Sequence, residues 1–171
     1  MSATSIREAI EKTSRIITER PDKAHSKNVP ATARLLDGLR CEVKGPNGET
    51  VHTDMPVAMG GAASAPAPGW LLRASVASCT ATTIAMHAAR LGIDLTTLEV
   101  TAESSSDNRG ILGLDDKISA GLSQLTLRVK IGASGVPADG LRELAAWGDR
   151  HSPVACTTRV SPRYALEVEV V

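Results

Sequence analysis

The sequence predicts an α+β fold with a mainly antiparallel sheet and one long buried helix, on three observations. The run 70–91 (WLLRASVASCTATTIAMHAARL) holds neither Gly nor Pro, is broken only by Arg73, His87 and Arg90, and ends just before Gly92, where a helix C′ residue belongs. A helix that is apolar on most sides is buried in a water-soluble protein. Short alternating segments lie before and after it, at 98–104 and 123–131 among others. Asn47-Gly48 stands between two short β-like runs, the strongest local signal for a hairpin.

In chain order, Ser5 with Glu8 three residues later reads as a capping box. Ile6, Ile10, Ile16 and Ile17 give a partial apolar stripe that Pro21 ends. A polar linker, 22–30, follows, so residues 1–30 read as an N-terminal helical extension that must pack on another surface. Strands are expected at 32–36, 40–43 and 49–53, with turns at Asp37-Gly38 and at 45–48. The segment 60–69 is rich in Gly, Ala and Pro and reads as an irregular, partly rigid loop before the long helix. Beyond that helix come the two alternating strands, separated by a Gly- and Asp-rich excursion at 105–122. A helix should run from Pro137 to about His151 with Leu141, Leu144, Ala145, Trp147 and Gly148 on one face. Ser152-Pro153 breaks or restarts it, since Ser caps and Pro fits the first helical position. The alternating end, 164–171 (YALEVEVV), is expected as a closing strand.

Composition narrows the function. The chain has 171 residues, with 19 Lys+Arg against 19 Asp+Glu, so no field of one sign steers nucleic acid or an acidic membrane surface. Two Trp, one Tyr and no Phe leave no stacking platform for single strands. No run reaches the length of a membrane span and the N-terminal stretch lacks an apolar core, so a cytoplasmic location without nucleic acid or membrane partners is expected. Cys41, Cys79 and Cys156 form no CxxC and no zinc spacing, and no cofactor or metal motif occurs. Asp149, His151 and Ser152 are too close in sequence to converge as a triad. Cys79, among small residues inside the long helix, is the one candidate nucleophile. Its plain alternative is a buried, inert thiol, because mid-helix placement denies it the N-terminal amides that favour a thiolate.

Pro68, Leu71-Leu72, the stretch Ala77-Ser78-Cys79-Thr80-Ala81-Thr82-Thr83, Gly92-Ile93 and Leu98-Glu99-Val100 together resemble the OsmC/Ohr family of organic hydroperoxide reductases. Asp54-Met55-Pro56 ahead of Gly60-Gly61 matches that family's segment upstream of the helix, and Asp107-Asn108-Arg109-Gly110 fits after the strand. His151-Ser152-Pro153-Val154 stands where the family carries its second-cysteine motif, Cys-Pro-Val. The resemblance covers 31–171 as one OsmC-like domain and rests on order and spacing rather than on a single motif.

The resemblance implies an intertwined homodimer, with antiparallel sheets wrapped around the long central helices and active sites formed between subunits. It implies that Cys79 attacks the peroxide O–O bond, that an arginine from the N-terminal strands holds the thiolate, that an acid just after Pro68 positions the arginine, and that a second cysteine resolves the sulfenic acid. Those roles suit the chemistry, since a guanidinium stabilises both thiolate and leaving oxygen. Two positions depart from the pattern: the second cysteine is Ser152, and Gly69 and Trp70 replace the acid. Cys156, four residues beyond Ser152, is a substitute resolver or a further buried thiol; Cys41 reads as strand packing. Arg40 is the first choice for the arginine and Arg34 the alternative, with Arg109 and Arg73 behind them; a surface arginine without a role is the bland reading of any of these. The expected function is thiol-dependent reduction of organic or hydrogen peroxides by Cys79, with an external dithiol reductant and no bound cofactor. The alternative is a catalytically silent dimer of this fold that binds an apolar small molecule. A third is a structural partner acting through the N-terminal helix.

Overall fold

The computed structural model describes residues 3–171. Helix α1 spans Ala3–Glu19 and stops before Pro21, which opens a short 3-10 turn. The helix is already running at Ala3, two residues ahead of the start expected at Ser5. Ala3 and Ile6 line a shared hollow with Ala85, Ala88, Ala89 and Ile93. Past Ile10 the expected stripe is open, with Ile16 and Ile17 exposed.

Strands β1 (Thr32–Asp37), β2 (Arg40–Lys44) and β3 (Thr50–Thr53) form an antiparallel sheet in the order β1-β2-β3. The β1–β2 ladder slips between Leu35 and Asp37, so that Asp37 faces Arg40. The β2–β3 hairpin turns at Asn47-Gly48 as expected: Gly48 has φ +89°, the left-handed region open to Gly, and the Gly45 N–H donates to the Glu49 carbonyl at 2.9 Å.

Helix α2 covers Pro68–Arg90. Pro68 fits a first helical turn, whose N–H groups lack intrahelical acceptors. The far end is a Schellman cap: the Ile93 N–H donates to the Ala88 carbonyl (2.9 Å) and the Gly92 N–H to that of Ala89 (3.2 Å), with Gly92 at φ +68°. Within the chain, burial on α2 is narrower than expected. It follows Val76, Thr80, Ile84 and Ala88 at intervals of four, with Ala89 beside them. Met86 on another face is 42% exposed.

Strands β4 (Leu95–Ser106) and β5 (Leu122–Ala133) make a two-stranded antiparallel ladder, and the short helix α3 (Asn108–Ile111) falls in the excursion between them. On β4, Leu98, Val100 and Ala102 turn inward at a period of two, while Leu95 is out of phase. A bulge between Leu95 and Thr97 corrects the phase, so Leu95 faces the core along with Leu98 and Val100. Helix α4 spans Ala138–His151 and helix α5 Pro153–Arg159. The core is Ile84, Ala88 and Leu144, with Leu98, Val100, Val129 and Ile131 of the sheet packed on it. Gly148 of α4 meets Ile84 at close range: a Cβ there would collide with the Ile84 side chain and come within 3.0 Å of its Cα and N.

The expected closing strand is not formed. Residues 161–171 have no regular structure, and Leu166, Val168 and Val170 are 76–90% exposed. Alternation gives a segment the pattern of a strand, but a strand holds only where a sheet edge accepts its ladder and one of its faces is buried. Among the described residues, 161–171 joins neither sheet, and its alternating apolar side chains bury no face. The described residues divide into two compact units: one is the chain through Glu11 with Ser75–Val171, the other Lys12–Ala74.

Candidate functional site

Cys79 lies mid-way along α2, half-buried, on the flank of the buried stripe rather than in it. Its carbonyl accepts from Thr83 Oγ1 at 2.8 Å, an ordinary back-bond of a helical threonine. The next residue, Thr80, is fully buried and its hydroxyl donates to Ser152 Oγ at 3.2 Å. Ser152 is itself fully buried and caps α5: its Oγ also accepts from the Ala155 N–H at 3.4 Å, and Pro153 occupies the first helical position. The position at which the resemblance implies a second thiol is thus a helix cap tied to the residue beside Cys79.

Cys156 is exposed in α5. The α5 backbone does run one turn from Ser152, with the Cys156 N–H on the Ser152 carbonyl at 2.9 Å, but the sulfur bonds to the Arg150 carbonyl at 3.1 Å. Cys41 is half-buried on β2, paired across the ladders with Leu35 and Thr53.

In the other unit, Arg40 opens β2 and lines a hollow of about 360 Å³ with Asp37, Leu39, Asp54 and Gly61. Arg34 lines a different one, with Thr32, Glu42 and Lys44. Asp54 follows β3 and is 2% exposed. Its carboxylate accepts from the backbone N–H groups of Met55 (2.7 Å), Ala62 (3.2 Å) and Ser64 (3.0 Å) and from the Ser64 hydroxyl (2.8 Å). The Ser64 backbone and side-chain bonds, with those from Met55 and Ala62, hold its carboxyl below the usual range against the opposing effect of burial. Gly61 is obligatory in this wrap, because a Cβ would run into the Met55 carbonyl. Arg109 is taken up by Asp107, with a guanidinium–carboxylate contact of 2.6 Å.

Two features were not anticipated from the residues alone. One is the role of Asp54, visible in sequence only as part of a motif. The other is an aromatic stack: His87 and Trp147 lie face to face at 3.7 Å, and Trp147 and His151 at 3.8 Å. His151 Nδ1 bonds to the Trp147 carbonyl at 2.8 Å, while His87 Nδ1 is buried with no partner among the described residues. Burial, then Arg90 and His151, push the His87 imidazole below its ordinary pKa, with Glu143 opposing. The signal was the i, i+4 spacing of Trp147 and His151; the partner on α2 was not readable. Among the described residues no group of three His, Cys, Asp or Glu is arranged to hold a metal, and no helix is long and apolar enough to cross a membrane.

With this geometry in hand, the chain can be set beside known proteins. No curated protein matches it by sequence. Solved structures of the same fold include an OsmC-like protein from Mycoplasma pneumoniae, with TM-score 0.68, 17% identity, and coverage of 80% of this chain and 91% of that one. An OsmC-like protein of unknown function from Vibrio cholerae superposes with TM-score 0.65 at 11% identity, covering 77% and 94%. The organic hydroperoxide resistance protein OsmC of Legionella pneumophila does so with TM-score 0.58 at 21% identity, covering 79% and 93%. At these identities the likeness establishes the fold. The OsmC-like protein model matches residues 61–167, from the loop that wraps Asp54 through α2 and both later helices, and the chain belongs to that family.

Proposed function

We propose that this protein reduces organic or hydrogen peroxides, with Cys79 as the nucleophile at a site completed across a homodimer. The Cys79 sulfur attacks the terminal peroxide oxygen; an S–O bond forms, the O–O bond breaks, and the leaving alkoxide takes a proton and departs as alcohol, or as water from hydrogen peroxide. Sulfur is oxidised to a sulfenic acid. An external dithiol then reduces it, becoming a disulfide and releasing water. Arg40 is the assigned activator, holding negative charge on sulfur and on the leaving oxygen. Cys156 is the candidate resolver within the chain.

The observation that carries this reading is the place of Cys79 within an OsmC-like chain: on α2, half-buried, off the packed stripe and beside the fixed Thr80. Relatives of the same fold named for organic hydroperoxide resistance support the substrate class. The homodimer is supported by apolar surface that one chain leaves open, at Met86 and along the alternating residues Leu166, Val168 and Val170.

The test is peroxide consumption with a dithiol reductant. Cys79→Ser abolishes it, Arg40→Ala slows it about tenfold or more, and dimedone captures the sulfenic acid on Cys79. Sedimentation reports a dimer. Consumption no greater than in Cys79→Ser retires the peroxidase reading. A second reading, a catalytically silent dimer that binds an apolar small molecule, is favoured by the capped Ser152 and by a cavity of about 620 Å³ walled by Val76, Leu125, Leu127 and Val129. Retained binding of an apolar probe without turnover would select it.

A further inference from the structure

Cys156 does not stand alone. Arg159, one turn along α5, donates from Nη2 to the Cys156 sulfur at 3.5 Å. Asp149, in the last turn of α4, fixes that guanidinium: Nη1 lies 3.0 and 3.1 Å from its two carboxylate oxygens, and Nη2 donates to its carbonyl at 2.8 Å. The Asp149 bond comes first among the interactions that raise the Arg159 pKa, so the group stays cationic, and the Cys156 sulfur adds to the same effect. The thiol's own hydrogen points to the Arg150 carbonyl at 3.1 Å.

An independent observation lies alongside. The residues around Cys156 on α5, namely Ala155, Thr158 and Arg159, line the cavity of about 620 Å³ together with Asp149. Val76 and Leu125 add apolar lining. A reactant at the sulfur therefore has a cationic donor beside it and apolar space next to that donor.

We propose that Cys156, Arg159 and Asp149 form a second thiol site, at which Cys156 exchanges with small-molecule disulfides that carry an apolar substituent. Cys156 is the nucleophile, Arg159 holds the negative charge on its sulfur, and Asp149 positions Arg159. The thiol proton leaves to solvent. The Cys156 sulfur attacks one sulfur of the small disulfide, a new S–S bond forms to the protein, the old S–S bond breaks, and the departing thiolate takes up a proton. One disulfide is consumed and one is made, so no further oxidant is needed. The site works without peroxide and without Cys79, and so stands or falls apart from the peroxidase reading.

The experiment uses the reduced full chain and dithiodipyridine, an apolar aromatic disulfide, with peptide mass mapping of all three cysteines. At about pH 7 Cys156 is modified first, and the same holds in Cys79→Ser. Arg159→Gln slows Cys156 about tenfold, Asp149→Asn slows it several-fold, and Arg159→Lys restores part of the rate. Near pH 10, where exposed thiols ionise without help, the wild-type advantage over Arg159→Gln disappears; a merely structural effect of Arg159 would persist there. Asp149→Asn, which leaves the guanidinium in the chain, covers the case in which Arg159→Gln loosens α5. Modification of Cys41 or Cys79 ahead of Cys156, or equal Cys156 rates in wild type and both variants, overturns the proposal.

Discussion

Replacing Ser152 by alanine removes two interactions at one atom. The hydroxyl is the N-cap of α5, and losing such a cap costs about 0.5–2 kcal/mol. It also accepts from Thr80, which is fully buried and whose hydroxyl would then face an alanine methyl. A buried hydroxyl left unpaired costs about 1–3 kcal/mol. The two costs share one side chain and do not simply add, so Ser152→Ala should lose about 2–3 kcal/mol, or roughly 4–12 °C in Tm for a chain of this length. The sign of the coupling separates the two parts. Thr80→Val keeps the volume and deletes the donor, leaving Ser152 free to cap. Adding it to Ser152→Ala removes the stranded hydroxyl, so the double variant should be more stable than Ser152→Ala alone, by about 1 kcal/mol. Urea unfolding of the four proteins at one fixed protein concentration measures this cycle. If the double variant is less stable than Ser152→Ala, the buried hydroxyl pair is not what fastens α5 to α2.

Three further outcomes follow from the packing and the charges. Gly148→Ala should destabilise by about 1–3 kcal/mol in thermal unfolding, despite alanine's better helix propensity, because the added Cβ meets both the side chain and the backbone of Ile84. The Asp54 carboxyl is depressed in the folded state, so it favours folding above the ordinary aspartate range, and that contribution is lost as pH falls below about 4. Urea midpoints of wild type should therefore drop more steeply between pH 5 and pH 3 than those of Asp54→Asn, which should already be less stable at pH 7. The His87 imidazole is also depressed; the unfolded chain binds its proton first, so stability should decline as pH falls below about 6.5, and His87→Phe, which keeps a ring against Trp147, should flatten that part of the profile.

What the sequence made readable was local. The 70–91 run, its Gly92 stop, the Asn47-Gly48 turn and the Ser152-Pro153 restart each depend on nearest neighbours, and each stands within two residues of the expected place. Most of the misreadings concern partners distant in sequence. The capping box at Ser5 does not mark the start, since the helix already runs at Ala3. The segment 164–171 has the alternation of a strand but pairs with neither sheet among the described residues. At the site, Cys79 and Ser152 were legible as positions in a pattern. Their relation was not: the hydroxyl of Ser152 meets Thr80, 72 residues away, and nothing in local spacing distinguishes that contact from a free cap. The His87–Trp147 contact escaped for the same reason, whereas Asp54 escaped because its donors, though near in sequence, sit on an irregular loop whose path no periodicity gives.

The wrap around Asp54 sets which substitutions the segment tolerates. One carboxylate gathers three backbone N–H groups and a hydroxyl from a stretch with almost no regular structure. Since most of the donors are main-chain, the residues that carry them can change almost freely, and Ala62 can be exchanged without touching the bond it makes. The positions that resist change are the acceptor itself, Gly61, whose missing Cβ is what lets the chain pass the Met55 carbonyl, and Gly60, whose φ of +85° falls in the left-handed region. Ala63, two residues beyond Gly61, has φ +51°, where glycine would be the easier residue. A library varied over 57–64 should accordingly return glycines at 60 and 61, with an aspartate required at 54, while the other letters drift. Such a segment looks unconstrained to any method that scores residues singly, although its path is as determined as that of a helix.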